Sequence, residues 1–191
     1  MIYGGSGGVG SLAIQMAKRV FKASFVATTS SNDAMCTENG ADLVVHYDDD
    51  SLKKHTEEHK NSYDAVFDCV GGKGYWDMGA NLLKRNGNYV TLCLDSGPGD
   101  NLSMTSLISK VIYRSARSLS PLTCNYSFML TEQSGADLAV INKMVDDKLL
   151  KVYIDSEYDF TEDGVHAMFG KLMSYRCKGK VVCKIFEADA N

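Results

Sequence analysis

The 191 residues are enough for one sizeable core, or for one domain with a piece of a second. A hydrophobic share of 45% and a charged share of 23% mark an ordinary globular chain; the formal net charge of -4 argues against a general nucleic-acid binder, and no apolar run approaches a membrane span. The six cysteines are scattered without a C-x-x-C pair, which suits reduced thiols in a reducing compartment rather than a disulfide framework.

The chain opens on a short apolar run, Met1-Ile2-Tyr3. The loop Gly4-Gly5-Ser6-Gly7-Gly8-Val9-Gly10 follows, and then an amphipathic stretch. Read from Gly5 the loop fits G-x-G-x-x-G, a weak signal alone. In the order strand, loop, helix it is a dinucleotide-binding fingerprint. Gly5 is expected to permit the tight turn, Gly7 to let the backbone approach a pyrophosphate, and Gly10 to let the helix pack closely on the strand. The N–H groups of the first helical turn, around Gly8 and Val9, would then face the phosphates. A flexible glycine loop without a ligand is the alternative, and the strand–helix context speaks against it. A central parallel strand usually runs about five or six residues. Here the turn comes sooner, so the chain is expected to begin inside its first strand and to be the back part of a longer protein.

The first helix is predicted over residues 9–21, with Val9, Ala13, Met16, Ala17 and Val20 facing the sheet. Residues 24–28 read as a buried second strand. After it comes Ser30-Ser31-Asn32, and the first acid is Asp33, inside the next turn. An NAD enzyme usually has Asp or Glu at this strand end to hold the ribose 2′-OH. A carboxylate beside a 2′-phosphate would repel it by about 4 kcal/mol at 4 Å and an effective dielectric near 20. Hydroxyls and an amide offer that phosphate hydrogen bonds instead. The strand end therefore favours NADP(H) over NAD(H). Ser30, Ser31 or Asn32 would serve equally well as a helix cap.

A short helix ends at Asn39-Gly40. Residues 43–47 are the third strand, with Tyr47 at the end where it could reach the adenine or its ribose phosphate. Asp48-Asp49-Asp50 with Ser51 reads as a helix cap. The polar helix at 51–60 contains His55-Thr56-Glu57-Glu58-His59, a match to the H-x-x-E-H zinc-peptidase pattern. With almost no apolar face and no third ligand evident, it reads as a solvated surface helix, and no metal site is assigned. Residues 63–70 are the fourth strand, running into Gly71-Gly72, which allow a sharp exit and room for a ligand. A helix at 76–84, a turn at Asn86-Gly87, a fifth strand at 89–94 and a loop at 95–100 follow. Beyond them come a helix within 102–119, a sixth strand at 126–130 and a helix at 135–149. Leu138, Ile141, Met144, Val145 and Leu149 share one stripe of that last helix. The tail reads as extended at 153–160, helical at 161–174 with Thr161 as cap, and a strand at 181–186.

This alternation is α/β, a doubly wound parallel sheet of Rossmann type. On the stretches GGSGGVGSLAIQMAK, ENGADLVVHY, YDAVFDCVGG, LLKRNGNYVTL and YRCKGKVVCKIF the chain resembles the medium-chain dehydrogenase/reductase family, in particular its zinc-independent quinone-reductase branch. YDAVFDCVGG and NYVTL look most like a mitochondrial member of that branch. The resemblance implies an NADP(H)-binding Rossmann domain at 1–150, inserted into a GroES-like catalytic domain made from both chain ends. Residues 151–191 would be the C-terminal segment of that catalytic domain. Its N-terminal part, with most substrate-side residues and any zinc ligands, would be absent, and this chain alone inactive.

Residue by residue, the resemblance puts Ser6, Gly7, Gly8 and Val9 at the pyrophosphate and Ser30, Ser31 and Tyr47 near the adenosine 2′-phosphate. It puts Cys69, Val70 and Leu92 along the nicotinamide ribose and ring, and Arg176, Cys177 and Lys178 in a turn that reaches the cofactor. For Arg176, Lys178 and Lys180 the alternative is a solvated turn. Many relatives carry a lysine a few residues after the serine, which Asp33-Ala34-Met35 lacks. The implied reaction is hydride transfer from NADPH to a quinone or enone-type carbonyl, with no general acid among the residues present. A homodimer, a protein partner, and a mitochondrial rather than cytoplasmic location are further implications. The rivals are a non-catalytic NADPH-sensing or partner-binding protein and a zinc-dependent alcohol dehydrogenase.

Overall fold

Short strands rich in apolar residues alternate with helices throughout the computed structural model, which describes residues 1–93, 103, 105, 108, 109, 112, 113, 116 and 124–185. In chain order they are β1 (Ile2–Tyr3), α1 (Gly10–Gln15), β2 (Ala27–Thr29), α2 (Asp33–Asn39), β3 (Leu43–Val45), α3 (Asp49–Glu58), β4 (Tyr63–Asp68), α4 (Lys73–Leu82) and β5 (Leu83–Thr91). Then come β6 (Asn125–Phe128), α5 (Gly135–Asp146), β7 (Ile154–Asp159), α6 (Glu162–Met173) and β8 (Lys180–Lys184). The main sheet runs β3-β2-β1-β4-β5-β6 with every pairing parallel. Its order reverses between β1 and β4, which opens a crevice at the carboxyl ends of those strands. β7 and β8 pair in parallel as a separate two-stranded sheet, joined by α6.

Successive strand residues point to opposite faces. Tyr3 therefore joins Val66, Leu82 and Tyr89 on one side, while Ile2 joins Ile14, Val26 and Cys36 on the other. Trp76 stands edge-on to Tyr89 and Tyr126 at 4.9 and 5.1 Å between ring centroids, a preferred aromatic geometry. Among the described residues no helix is long and apolar enough to cross a membrane.

Several helix ends follow their local chemistry. Gly40, at φ 106, closes α2; Asp48 Oδ1 accepts the Ser51 N–H at 2.9 Å; Thr161 Oγ1 accepts the Gly164 N–H at 3.1 Å. Elsewhere the structure departs from expectation. Ala13 and Ala17 of the predicted stripe pack against the Ile2–Ile14 cluster as expected, but the buried positions of α1 are Gly10, Ser11, Ile14 and Gln15, and Val9 is exposed. The helix then widens into a π-helical segment, Met16–Val20, and Lys22 at φ 57 ends it. β2 starts at Ala27 because the Asp42 carboxylate takes the Val26 N–H at 2.7 Å. The Asn86-Gly87 turn lies inside β5, where pairing with β4 jumps from Tyr63↔Leu83 to Ala65↔Asn88. No residue of α5 is buried, so its apolar stripe faces outward. The predicted loop at 95–100 and helix within 102–119 lie largely outside the described residues.

Helix α3 is the clearest correction. Leu52, His55 and Thr56 are buried, so the segment is not solvated all round. His55 Nε2 lies 2.9 Å from the Tyr63 hydroxyl, and its ring stacks on His59 at 4.2 Å. Burial first, then the neighbouring His59, lowers the His55 pKa. The unfolded chain therefore takes up this proton more readily than the folded one. The contribution is fully present above about pH 6.5, the ordinary histidine value, and is lost as the pH falls below it. Urea midpoints measured from pH 7 down to 5 should fall, and His55→Gln should flatten that fall. An unchanged slope in the variant would refute the assignment.

Candidate cofactor site

The crevice at the sheet's carboxyl edge is built first by the glycine loop. Gly4 donates its N–H to Thr29 Oγ1 at 2.9 Å, and Gly5 donates to the Thr29 carbonyl at 2.9 Å. The loop is thus pinned to the end of β2. The left-handed residue is Gly4, at φ +83, rather than Gly5. Gly5 is required for a different reason, since a methyl there would collide with Thr28 Oγ1. A methyl on Gly10 would collide with the Gly4 carbonyl oxygen, so helix and strand do pack as closely as the motif demands. At Gly7 a methyl would meet only the Gly4 oxygen, at 3.3 Å, and otherwise open space. Among the described residues no side chain caps α1 and no acid stands in its first turn. That amide end suits an anion.

A second wall comes from the exit of β4. Asp68 is buried, and its Oδ1 accepts the N–H groups of Val70 and Gly71, each at 2.9 Å. Its Oδ2 accepts the Tyr89 hydroxyl at 2.7 Å. Gly71 and Gly72 take φ 80 and 99, conformations other residues seldom adopt. The turn so folded brings Val70 against the glycine loop: a methyl on Gly4 would lie 2.9 Å from Val70 Cγ2 and 3.8 Å from Cys69 Cβ. Leu92 donates its N–H to the Asp68 carbonyl at 3.1 Å. Cys69, Val70 and Leu92 therefore share one wall. Burial pushes the Cys69 thiol up to about 12, with Asp68 and Cys93 adding to it. Asp68 was not singled out from sequence. Its one signal is an acid closing an apolar strand before a Gly-Gly turn.

The ends of β2 and β3 form a third wall. Ser30 is buried, and its Oγ accepts the Asn32 N–H at 2.9 Å, so its hydroxyl shapes the turn. Asn32 is the cap of α2, with Oδ1 accepting the Met35 N–H at 3.4 Å. Ser31 and Tyr47 are exposed. Asp33 lies 3.5 Å from His46.

The turn before β8 lies on the glycine loop. Gly179 bridges Gly7 in parallel, and a methyl on Gly8 would lie 2.7 Å from Lys180 Cδ and 2.9 Å from the Gly179 oxygen. Lys178 donates its N–H to Asp155 Oδ1 at 2.7 Å; Cys177 Sγ lies 3.4 Å from the Lys171 carbonyl; Arg176 is exposed. The residues that touch the loop are thus Gly179 and Lys180, just beyond the three that the resemblance implied. Together these segments bring the glycine loop, a polar end at β2–β3 and an apolar end at Cys69–Val70–Leu92 to the carboxyl edge of the sheet.

A family model for zinc-binding dehydrogenases matches residues 8–120. The chain belongs to the zinc-binding dehydrogenase family. It is a medium-chain dehydrogenase/reductase, as its motifs imply. It is 33% identical over 190 residues to a zinc-type alcohol dehydrogenase-like protein of Schizosaccharomyces pombe, covering 96% of this chain and 51% of that one. Identity is 31% over 184 residues to the 2-methylene-furan-3-one reductase of Solanum lycopersicum (95% and 39% covered). It is 29% over 193 residues to the mitochondrial NAD(P)H oxidoreductase RTN4IP1 of Drosophila melanogaster (98% and 45%). The quinone oxidoreductase of Coxiella burnetii superposes with a TM-score of 0.70 at 26% identity, covering 97% of this chain and 52% of that one. The chain spans about half the length of these dehydrogenase relatives, or less. Despite the family's name, no group of three His, Cys, Asp or Glu side chains among the described residues is placed to hold a metal ion. No role is assigned to zinc in this chain.

Proposed function

We propose that this chain is the cofactor-binding portion of an NADPH-dependent oxidoreductase that delivers hydride to a conjugated carbonyl, a quinone or an enone. The observation that carries the reading is the glycine loop, which leaves room on the Cβ side of Gly7 and leads into a helix without a capping side chain or an early acid. It is supported by the relatives, a 2-methylene-furan-3-one reductase, a quinone oxidoreductase and an NAD(P)H oxidoreductase. When bound, the dinucleotide supplies the hydride. The protein's part is to hold and aim it.

In this reading Ser6, Gly8 and Val9 offer backbone amides to the diphosphate, and Gly7, whose N–H is given to the Gly4 carbonyl at 3.1 Å, leaves room for it to approach. Ser31 and Tyr47 take the 2′-phosphate, while Ser30 shapes the turn that presents them. Cys69, Val70 and Leu92 keep water from the nicotinamide. Residues 1–150 form the cofactor domain and 151–191 contribute to a second, catalytic one. The substrate is a small molecule, and the mitochondrial relative favours a mitochondrial location over a cytoplasmic one.

The test is a fluorescence titration of the 191-residue chain with NADPH and with NADH. A charge-assisted hydrogen bond is worth about 1.5–3 kcal/mol, so NADPH should bind roughly tenfold tighter or more. Equal affinities would overturn the phosphate assignment.

A further inference from the structure

Gln15 sits fully buried on α1, and its amide is engaged with the far end of the chain. Nε2 donates to the Lys151 carbonyl at 3.0 Å, and Oε1 accepts the Lys151 N–H at 2.7 Å. The same amide donates to the Ser11 carbonyl at 3.1 Å and accepts Arg19 Nη1 at 3.1 Å. Both donors and both lone pairs of the side chain are therefore used. Neighbouring contacts run the same way: Arg19 donates to the carbonyls of Leu149 and Glu38, and Lys151 Nζ reaches Glu38 at 2.8 Å. Those are exposed, where water and salt weaken them. The amide pair, half-buried behind the buried Gln15 side chain, is the firmer part of the joint.

From Lys151 the path returns to the glycine loop. Tyr153 accepts the Lys180 N–H on its carbonyl at 2.7 Å. A methyl on Gly179 would collide with that same carbonyl, and Gly179 holds φ +115. Gly179 and Lys180 in turn lie on Gly7 and Gly8. The circuit is closed: the middle of α1 holds Lys151, Lys151 leads to Tyr153, Tyr153 holds Lys180, and Lys180 covers the loop that starts α1.

We propose that Gln15 is a positioning residue for the diphosphate: by tying Lys151 to α1 it sets the β7–β8 unit at the height where Gly179 and Lys180 close over Gly7 and Gly8. This rests on the reading of the glycine loop as a dinucleotide site. Removing the amide leaves the Lys151 N–H and carbonyl without their partner at a half-buried joint, and the cheapest relief is for the joint to open to water. The cradle then keeps its amides but loses its cover.

The experiment compares the 191-residue chain with Gln15→Leu, titrating NADPH and adenosine 2′-monophosphate, which has no diphosphate. Loss of the cover should raise the Kd for NADPH about tenfold, the scale of one to two net hydrogen bonds. The Kd for adenosine 2′-monophosphate should stay as in the parent. Unchanged NADPH affinity in the variant overturns the proposal. Equal weakening for both ligands marks a merely structural role and also overturns it. If the parent chain binds no NADPH, the dinucleotide reading itself falls. If Gln15→Leu does not fold, hydrogen exchange on the parent decides. NADPH should slow exchange at the Lys151 and Lys180 amides, and unaltered exchange there refutes the coupling.

Discussion

Gly10→Val should weaken NADPH binding about a hundredfold. The substituted carbon would collide with the carbonyl oxygen of Gly4, and it would lie 2.7 Å from the Gly4 carbonyl carbon and 3.0 Å from Gly5 Cα. All three are backbone atoms, so no rotamer change relieves the clash. The start of α1 has to lift away from the end of β1, and the amides of the loop move with it. Overpacking typically costs about 1–3 kcal/mol, and more where backbone must shift. A shift of about 1 Å in such a cradle suffices to lose some 2.7 kcal/mol of binding, a hundredfold in Kd. The measurement is a titration beside a circular dichroism melt. Affinity within threefold of the parent would show that this close approach does not build the site.

Asp68→Ala should destabilise the chain more than any surface change. Oδ1 and Oδ2 together accept two backbone N–H groups and the Tyr89 hydroxyl, and the residue is buried. Alanine takes this acceptor from the Val70 and Gly71 N–H groups and from the Tyr89 and Thr91 hydroxyls, the last 3.4 Å from Oδ2. Each such group costs about 1–3 kcal/mol, so the loss should reach about 3 kcal/mol or more out of a typical total of 5–15. Urea denaturation gives the number directly, and a loss below about 1 kcal/mol would refute the account. Asp68→Asn keeps one acceptor and should lose less. The turn at Gly71–Gly72 should loosen with the fold, taking Cys69 and Val70 out of line with the glycine loop.

What could be read in advance was what local chemistry decides. The Asn39-Gly40 stop, the Asp48–Ser51 cap and the Thr161 cap depend on neighbours a few residues away, and each formed as read. The parallel six-stranded sheet followed from the alternation of strand and helix. The misses have tertiary causes. Which glycine carries positive φ depends on how the loop meets Thr29, a residue on another strand. His55 is buried on a polar helix because Tyr63 supplies a partner. The helix α5 formed as read, and periodicity names its apolar stripe without saying whether anything covers it. For Lys180 the sequence leaves a solvated turn open as the alternative, because its contact, the glycine loop, lies at the other end of the chain.

The thiol beside the glycine loop has a chemical consequence of its own. Conjugated carbonyls alkylate cysteines through the anion. A group with a pKa of about 12 is ionised at pH 7 to the order of one part in 10⁵, against a few per cent for an ordinary cysteine. An enone passing Cys69 would find almost no nucleophile there. Cys69 would then be spared alkylation by the class of molecule proposed as the substrate.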